Sequence, residues 1–483
     1  MNHLGISCGF HDAGVAVIDE SGNITYASHS ERYSKNKNDR ELHADQFQDH
    51  QYKSINYYEK PWLKQLRQFR AGQGIEWNKI TPQRILNKFV GNQPINTYPH
   101  HQTHAAAGFQ TSKFDRATVV VIDAIGEFDT ITIWGAEYDY WGYAKYKKLW
   151  SQQYPHSLGL FYSAMTKRAG LRPLDEEYIL MGMAAFAQPN PEMIQDFVID
   201  RENIKFKDNL HIGCDSYRPD MTNFEIAASA QYVLEILLHS VFFKAKELNW
   251  SRNLVYMGGV ALNCLANEHL GEYFDNIWIM PNPGDCGSAL GAAALGYGKR
   301  VNWQHPYLGT DIAGEYPVNA LLDELLSNKI VGVASGRAEF GPRALGNRSL
   351  LADPRGKEIK DKVNAIKRRQ KFRPFAPVIM EEHVNEYFQM PMNQPTSPYM
   401  QVVAKCLKPK EFPAIIHKDE TSRVQTVNQD CTSGIRKLLE KWFVLTGCPI
   451  LLNTSLNIRG EPMVNDRSDA DRFENRYGVK VCS

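Results

Sequence analysis

Residues 3–24, HLGISCGFHDAGVAVIDESGNI, and residues 117–136, ATVVVIDAIGEFDTITIWGA, share one pattern. Each is an apolar, β-rich run, then a tight turn bearing Gly and Asp, then a second alternating run, which is how two strands joined by a short connection read. Such a hairpin aims backbone N–H groups and a carboxylate at a phosphate or a metal ion. Two of them in the first third of the chain predict a duplicated nucleotide-binding fold of the α/β class; two unrelated β-hairpins are the alternative.

Downstream, residues 223–246 carry apolar side chains at helical spacing with few breakers. Residues 254–264, LVYMGGVALNC, read as strand, glycine turn and helix start. Residues 281–298, PNPGDCGSALGAAALGYG, read as a loop followed by a small-residue helix that packs closely on a neighbour. The stretch 303–316, with Pro306, Gly309, Gly314 and the adjoining Pro317, is the linker candidate. A second domain then opens near Leu321 with a helix and a strand and becomes dense in Arg, Gly and Pro. The expected division is 1–316 and 317–483.

Bulk properties narrow the function classes. A chain of 483 residues with 43% hydrophobic content can bury more than one core. A formal net charge of +1 excludes a bulk electrostatic binder of polyanions. Eight dispersed cysteines with no CxxC are those of a reduced, intracellular protein. The start, MNHLGISCGFHDAG, lacks a charged segment followed by an apolar one, and no apolar run approaches the ~20 residues of a membrane span. A soluble, cytoplasmic protein without a membrane partner is therefore expected.

Several constellations carry chemistry. In YPHHQTHAAAGF, His100 and His104 are four apart and share a helix face, so both can bind one metal ion. Gln102 and Thr103 stand where HExxH would place its glutamate, so a zinc-peptidase base is missing; capping and core roles are the alternative. Asp123 ends an apolar run and Asp285 precedes a small-residue helix. With the two histidines they make a mixed N/O donor set suited to iron, manganese or zinc, and ordinary helix caps are the alternative. Gly258 and Gly259 allow close backbone approach to a nucleotide or simply form a turn. Residues 336–355, GRAEFGPRALGNRSLLADPR, place four arginines among glycines and prolines, and residues 367–377, KRRQKFRPFAP, add more cations. Guanidinium groups in such loops suit an anionic ligand, phosphate or carboxylate. Residues 417–425 and 453–461 mix a cation with short hydrogen-bonding side chains at expected strand ends.

With FHDAGVAVI, SERYSKNKND, HHQTHAA, MGGVALNC, PNPGDCGSALGAA, GPRALGNRSLLADPR, FRPFAPVI, HKDETSRVQTV and NTSLNIRGEPMV occurring in that order, the chain resembles the NodU/CmcH/TobZ family of O-carbamoyltransferases over nearly its whole length. The resemblance implies a duplicated actin/sugar-kinase-like N-terminal domain followed by a YrdC-like C-terminal domain. It implies that the latter makes carbamoyl adenylate from ATP and carbamoyl phosphate and that the former passes the carbamoyl group to a hydroxyl. Carried over motif by motif, His100, His104, Asp123 and Asp285 would hold a divalent metal such as iron, manganese or magnesium. Gly258, Gly259 and Asn263 would face the adenylate. Arg343, Arg348, Arg373, His417, Arg423, Asn453 and Arg459 would hold carbamoyl phosphate and ATP. His11, with Asp12 beside it, would take the acceptor's proton or orient it. One departure stands out: Ile179, in EYILMGMAAF, occupies a position where the family has lysine.

The motifs are silent on the acceptor. Residues 53–88 hold eight basic and two acidic residues with Tyr57, Tyr58, Trp62, Phe69 and Trp77 interleaved. Cations among aromatic platforms suit a nucleic-acid strand or an extruded base, and an amphipathic insertion with core aromatics is the alternative. The leading acceptor is the 5-hydroxymethyl group of a pyrimidine, such as 5-hydroxymethylcytosine in DNA or a nucleotide. A sugar or antibiotic-like hydroxyl is the second reading, and an actin-like ATP-dependent kinase is the rival enzyme. A homodimer is left open.

Overall fold

A computed structural model of the chain describes residues 1–47 and 51–483. They form two compact units, Met1–Ala27 with Arg40–Trp303, and Ser28–Asp39 with Gln304–Ser483. The division thus falls after Trp303, and Ser28–Asp39 groups with the later unit. There the buried Arg32 donates to the carbonyls of Glu339 and Gly341 at 3.4 and 3.3 Å, Tyr33 Oη lies 2.9 Å from Thr310 Oγ1, and Lys35 pairs with Asp469.

The first unit contains two five-stranded sheets. The first is made of β1 (Asn2–Ser7), β2 (Gly14–Ile18), β3 (Ile24–His29), β4 (Tyr52–Tyr57) and β5 (Ile95–Thr97), in the order β3-β2-β1-β4-β5. The second is made of β6 (Arg116–Ile122), β7 (Asp129–Tyr138), β8 (Ala144–Gln153), β9 (Asn253–Met257) and β10 (Asn276–Trp278), in the order β8-β7-β6-β9-β10. The two orders superpose strand for strand. In each sheet the central strand pairs antiparallel with the hairpin partner, and parallel with a strand that itself pairs parallel with the edge. The two matching hairpins of the sequence are therefore equivalent parts of a duplicated α/β fold, and the reading of them as unrelated is excluded.

Four helices of this unit matter below: α1 (Pro61–Arg70), α2 (His100–Thr111), α3 (Asn223–Glu247) and α4 (Ser288–Tyr297). Helix α2 follows β5 and α4 follows β10, so they too are equivalent, and they pack on each other. The contact is close because α4 is SALGAAALGY: a Cβ on Gly291 would stand 1.8 Å from the Thr103 carbonyl oxygen. Helix α3 is long and apolar enough to cross a membrane, with mean hydropathy 1.5 over its best window, which the search for apolar runs did not anticipate. Yet 67% of that window is buried inside the unit, where Ala227, Val233, Leu234, Leu237 and Val241 are core. No other described helix reaches that length and apolarity.

The second unit is built on a six-stranded mixed sheet of β11 (Ile330–Ala334), β12 (Arg348–Ala352), β13 (Ala376–Met380), β14 (Gln425–Val427), β15 (Ile450–Ser455) and β16 (Val481–Cys482), in the order β14-β13-β15-β12-β11-β16. The strands are apolar on both faces because helices cover both. Val331, Val333, Leu351, Val378 and Leu451 point to one side, where α5 (Val318–Asn328) and α7 (Ile435–Thr446) bring Leu325, Leu438 and Trp442. The alternate residues Ala334, Leu350, Ala352, Ile379, Ile450 and Leu452 meet α6 (Lys357–Ile366) and α8 (Arg467–Tyr477) through Ile359, Val363 and Phe473. This period-two division is the alternation of side chains along each strand.

Candidate active site

The duplication sets where chemistry collects in the first unit. The β1–β2 hairpin carries His11 and Asp12, and its counterpart, β6–β7, carries Asp123. Helix α2 starts with His100 and His104; the turn before its counterpart α4 carries Asp285. Four polar starts of two equivalent halves thus converge.

His100 Nε2 lies 3.1 Å from Asp123 Oδ2, 3.1 Å from His104 Nε2 and 3.4 Å from Asp285 Oδ1. His104 Nε2 lies 3.3 Å from each of the two carboxylates. All four side chains are buried and their donor atoms fall within 4.8 Å of one another. Donor atoms arranged tetrahedrally about a metal at about 2.0–2.2 Å would stand about 3.3–3.6 Å apart, so the residues fit a divalent cation. Asp285 Oδ1 has no hydrogen bond, as expected of an atom with a metal to face. Burial alone would favour neutral forms, but the carboxylates, Asp285 foremost, hold the His100 pKa well above that of a free imidazole, and Asp123 and Asp285 raise His104. Against the same burial, the two imidazoles hold Asp123 well below the carboxylate range.

The backbone aims these groups. Asp123 Oδ1 accepts from the amides of Ala124 (2.8 Å) and Gly259 (3.3 Å), which turns Oδ2 toward the histidines. Gly258 has φ +93°, and a Cβ there would lie 2.1 Å from the Ile122 carbonyl oxygen, so only glycine brings the 258–259 turn against Asp123. Gly258 and Gly259 therefore orient a metal candidate. His101, between the two ligand candidates, turns away to Thr132 Oγ1 at 2.9 Å, and burial lowers its pKa well below normal. His11 Nε2 is 3.8 Å from Asp285 Oδ2, and its Nδ1 is 3.5 Å from Asp12 Oδ2. Burial works against charge there, but Asp285 and Asp12 raise its pKa to about 9, so without a cation nearby this imidazole is protonated at neutral pH.

Other expected residues are placed differently. The Asn263 amide is occupied: it exchanges hydrogen bonds with Gln231 at 2.9 and 3.1 Å and accepts from the Ala266 amide, so it is a structural link to α3 and not an open nucleotide contact. Arg348 is completely buried, and its guanidinium donates to the carbonyls of Ser335, Asn347, Thr310, Gly336 and Asn465. All its donors go to backbone, which leaves none for a phosphate. Arg337 donates to Leu308 and Gly309 carbonyls and Arg355 to Asp353, and Arg343, the remaining arginine of this loop, is half-buried. Asn453 donates to the Ala344 carbonyl and Gln425 Oε1, while its own Oδ1 is buried with no donor. Arg373, His417 and Arg423 are half-buried, and Arg459 is exposed.

Two residues were not singled out by the sequence, although the first lies in the basic run 367–377. Lys367 is buried with Ser455 Oγ at 3.1 Å and Asn457 Oδ1 at 2.8 Å. Burial, then Arg369, Arg373 and Lys37, push its pKa well below that of a free lysine. This crowd of cations is what an anion would relieve, and KRRQKFR was its signal. Glu127, four residues past Asp123, is the second. Its buried carboxylate accepts from the amides of Lys60 at 2.8 Å and His100 at 3.1 Å.

The basic stretch 53–88 divides. Tyr57 and Tyr58 are core, Lys64 pairs with the buried Glu59 at 2.9 Å, and Arg67 is buried. Trp62, Phe69 and Trp77 are 55%, 59% and 64% exposed, and Lys53, Arg70, Arg84 and Lys88 are exposed cations. Ile179 is buried core.

A duplicated α/β unit with a buried His₂Asp₂ cluster, joined to a mixed α/β unit rich in cations, defines the class. The carbamoyltransferase N-terminus model matches residues 56–294 and the carbamoyltransferase C-terminus model residues 322–482, and the chain belongs to this family of enzymes. It is 32% identical to an uncharacterized protein of Synechocystis over 98% of this chain and 94% of that protein. It is 33% identical to nodulation protein NolO of Bradyrhizobium diazoefficiens, covering 77% and 75% of the two chains, and 35% identical to nodulation protein U of Sinorhizobium fredii, covering 49% and 46%. Among solved structures, a ROK family glucokinase from Streptomyces griseus aligns with 61% of this chain and 99% of its own, at TM-score 0.34 and 11% identity.

Proposed function

We propose that the second unit converts carbamoyl phosphate and ATP to carbamoyl adenylate, with pyrophosphate and inorganic phosphate as by-products and water supplying the balancing oxygen. The first unit then transfers the carbamoyl group from AMP to an acceptor hydroxyl. The observation that carries the transfer step is the convergence of His100, His104, Asp123 and Asp285 on one point. A divalent cation held there would supply Lewis-acid help of several kcal/mol to the carbamoyl carbonyl and the adenylate phosphate. His11, which faces Asp285, is positioned at the edge of this cluster. Beside a cation it loses the pKa elevation its carboxylate neighbours give it, and as a neutral imidazole it accepts the hydroxyl proton. Arg343 and Arg373 supply positive charge for the anionic substrates, and the unmatched Asn453 Oδ1 suits a carbamoyl N–H.

The acceptor proposed is the 5-hydroxymethyl group of a pyrimidine, in DNA or as a nucleotide. Supporting it, Trp62 and Phe69 lie seven residues apart on one face of α1, exposed, with Trp77 and Arg70 nearby in sequence. Helix α1 has Lys60 as its N-cap, whose amide shares Glu127 with that of His100. Stacking platforms with cations suit a base. The test incubates the protein with ATP, carbamoyl phosphate and, in parallel, a hydroxymethylcytosine oligonucleotide, the free nucleotide and sugar acceptors, read by mass spectrometry. Carbamoylation of a pyrimidine supports the proposal. Carbamoylation of sugars alone moves the acceptor to the small-molecule class, and ADP without carbamoyl transfer rejects the reaction.

A further inference from the structure

The first turn of α2, which carries the His100 ligand candidate, has no side-chain cap of its own, because its N-cap is Pro99. The first turn of α1 lacks one as well, its N-cap being Lys60. One carboxylate serves both. Glu127 Oε1 accepts from the Lys60 amide at 2.8 Å, and Oε1 and Oε2 accept from the His100 amide at 3.1 Å each. Two helices thus start on a single buried anion, where their orphan N–H groups and dipoles favour negative charge. The same turn supplies Asp123, and its Gly126 lies so near that a Cβ would be 3.3 Å from His100 Cβ. The start of α1 and His100 are thus linked through the five-residue turn that also holds Asp123.

From this geometry we infer that Glu127 is a positioning residue: it couples the placement of α1, the helix with the exposed aromatic face, to the placement of His100 in the metal site. This rests on the reading of His100, His104, Asp123 and Asp285 as a metal site. In Glu127→Gln the negative charge is lost and one oxygen becomes an NH₂ that cannot accept; the remaining oxygen can still accept from both amides, as Oε1 does, so the variant removes the charge and the second contact to His100. In Glu127→Asp both acceptors remain but the carboxylate is one methylene short of spanning the two helix starts.

The experiment titrates Co(II) into the metal-free full-length protein and its variants, recording the visible absorption of the bound ion, with thermal melts to establish folding. Wild type should bind one Co(II) with an imidazole/carboxylate spectrum; His104→Ala should not, and if wild type itself fails to bind, the metal-site reading falls and this inference with it. Given wild-type binding, Glu127→Gln should weaken Co(II) about 10–100-fold, as loss of a ligand's hydrogen-bonded support does, and shift the spectrum. Glu127→Asp should restore part of the affinity. Should Glu127→Gln fail to fold, Glu127→Asp decides through its own spectral shift. A folded variant with unchanged spectrum and affinity within twofold of wild type would reduce Glu127 to a helix cap and overturn the inference.

Discussion

Replacing Arg348 separates a structural arginine from a substrate-binding one. Its six hydrogen bonds reach five backbone carbonyls, with no side-chain carboxylate among them. Burial lowers its pKa to about 10 even with Glu339 nearby, so it stays charged at neutral pH. In Arg348→Ala these carbonyls lose their donor. Asn347 O keeps one, from the Ser335 amide, which leaves four to be counted. At about 1–3 kcal/mol for each unsatisfied buried polar group, leaving even two of them without a donor costs about 2–6 kcal/mol, against a total stability of about 5–15 kcal/mol for a domain. Arg348→Lys keeps at most three donors and should fall between. Urea denaturation followed by far-UV circular dichroism measures this: Arg348→Ala should be insoluble or shifted to a clearly lower midpoint. Arg343→Ala should melt like wild type yet lose carbamoyl-phosphate-dependent AMP formation. If Arg348→Ala keeps the wild-type midpoint and loses only AMP formation, the structural reasoning is wrong and Arg348 binds substrate.

Removing a metal ligand candidate, as in His104→Ala or Asp285→Asn, should cost more metal affinity than the ~10–100-fold typical of an outer partner and abolish transfer while carbamoyl-phosphate-dependent AMP formation persists, checked by Co(II) titration and nucleotide chromatography. The pH dependence follows from the charges. His100, His104 and His11 have raised pKa values, so their stabilisation is complete below the free value of about 6.5 and is lost as pH climbs through the folded values, about 9 for His11. Asp123 and Asp285 are lowered, so theirs is present above about 3.9 and lost in stronger acid. Metal-free protein should therefore melt lower at pH 9 than at pH 6, while Co(II), which needs unprotonated imidazoles, should raise the melting temperature more at pH 9; the opposite trend contradicts the cluster. Alanine at Trp62, Phe69 or Trp77 should raise the acceptor KM about 5–150-fold, the equivalent of about 1–3 kcal/mol of stacking per base, without changing AMP formation; equal effects on both would remove the platform.

Much of the fold was legible because it repeats. The hairpins at 3–24 and 117–136 announced the duplication, since alternating strands around a Gly/Asp turn leave a local pattern. The His and Asp ligand candidates were visible as residue types at helix starts, and HxxxH spacing put two on one face. What stayed hidden depends on non-local packing. Nothing in GNRSLL tells a buried Arg348 gathering five carbonyls from a loop arginine awaiting phosphate. Likewise Asn263 looked free because its partner, Gln231, lies 32 residues away on α3. The basic stretch was only partly legible for the same reason: Lys64 and Arg67 belong to buried contacts with Glu59 and the Tyr154 ring, while Trp62, Phe69 and Trp77, for which platform and core readings both stood, face solvent. Reversing Lys64 and Arg67 to glutamate would consequently test folding, and the exposed aromatics are the informative substitutions.

The central claim is adenylation of a carbamoyl group before its transfer. It is tested most directly by incubating the protein with α-labelled ATP, with and without carbamoyl phosphate, and separating the nucleotides. The account predicts AMP and pyrophosphate only when carbamoyl phosphate is present, with a carbamoylated hydroxyl appearing once an acceptor is added. ADP as the labelled product, formed equally without carbamoyl phosphate, would contradict it and make the duplicated unit a phosphotransferase.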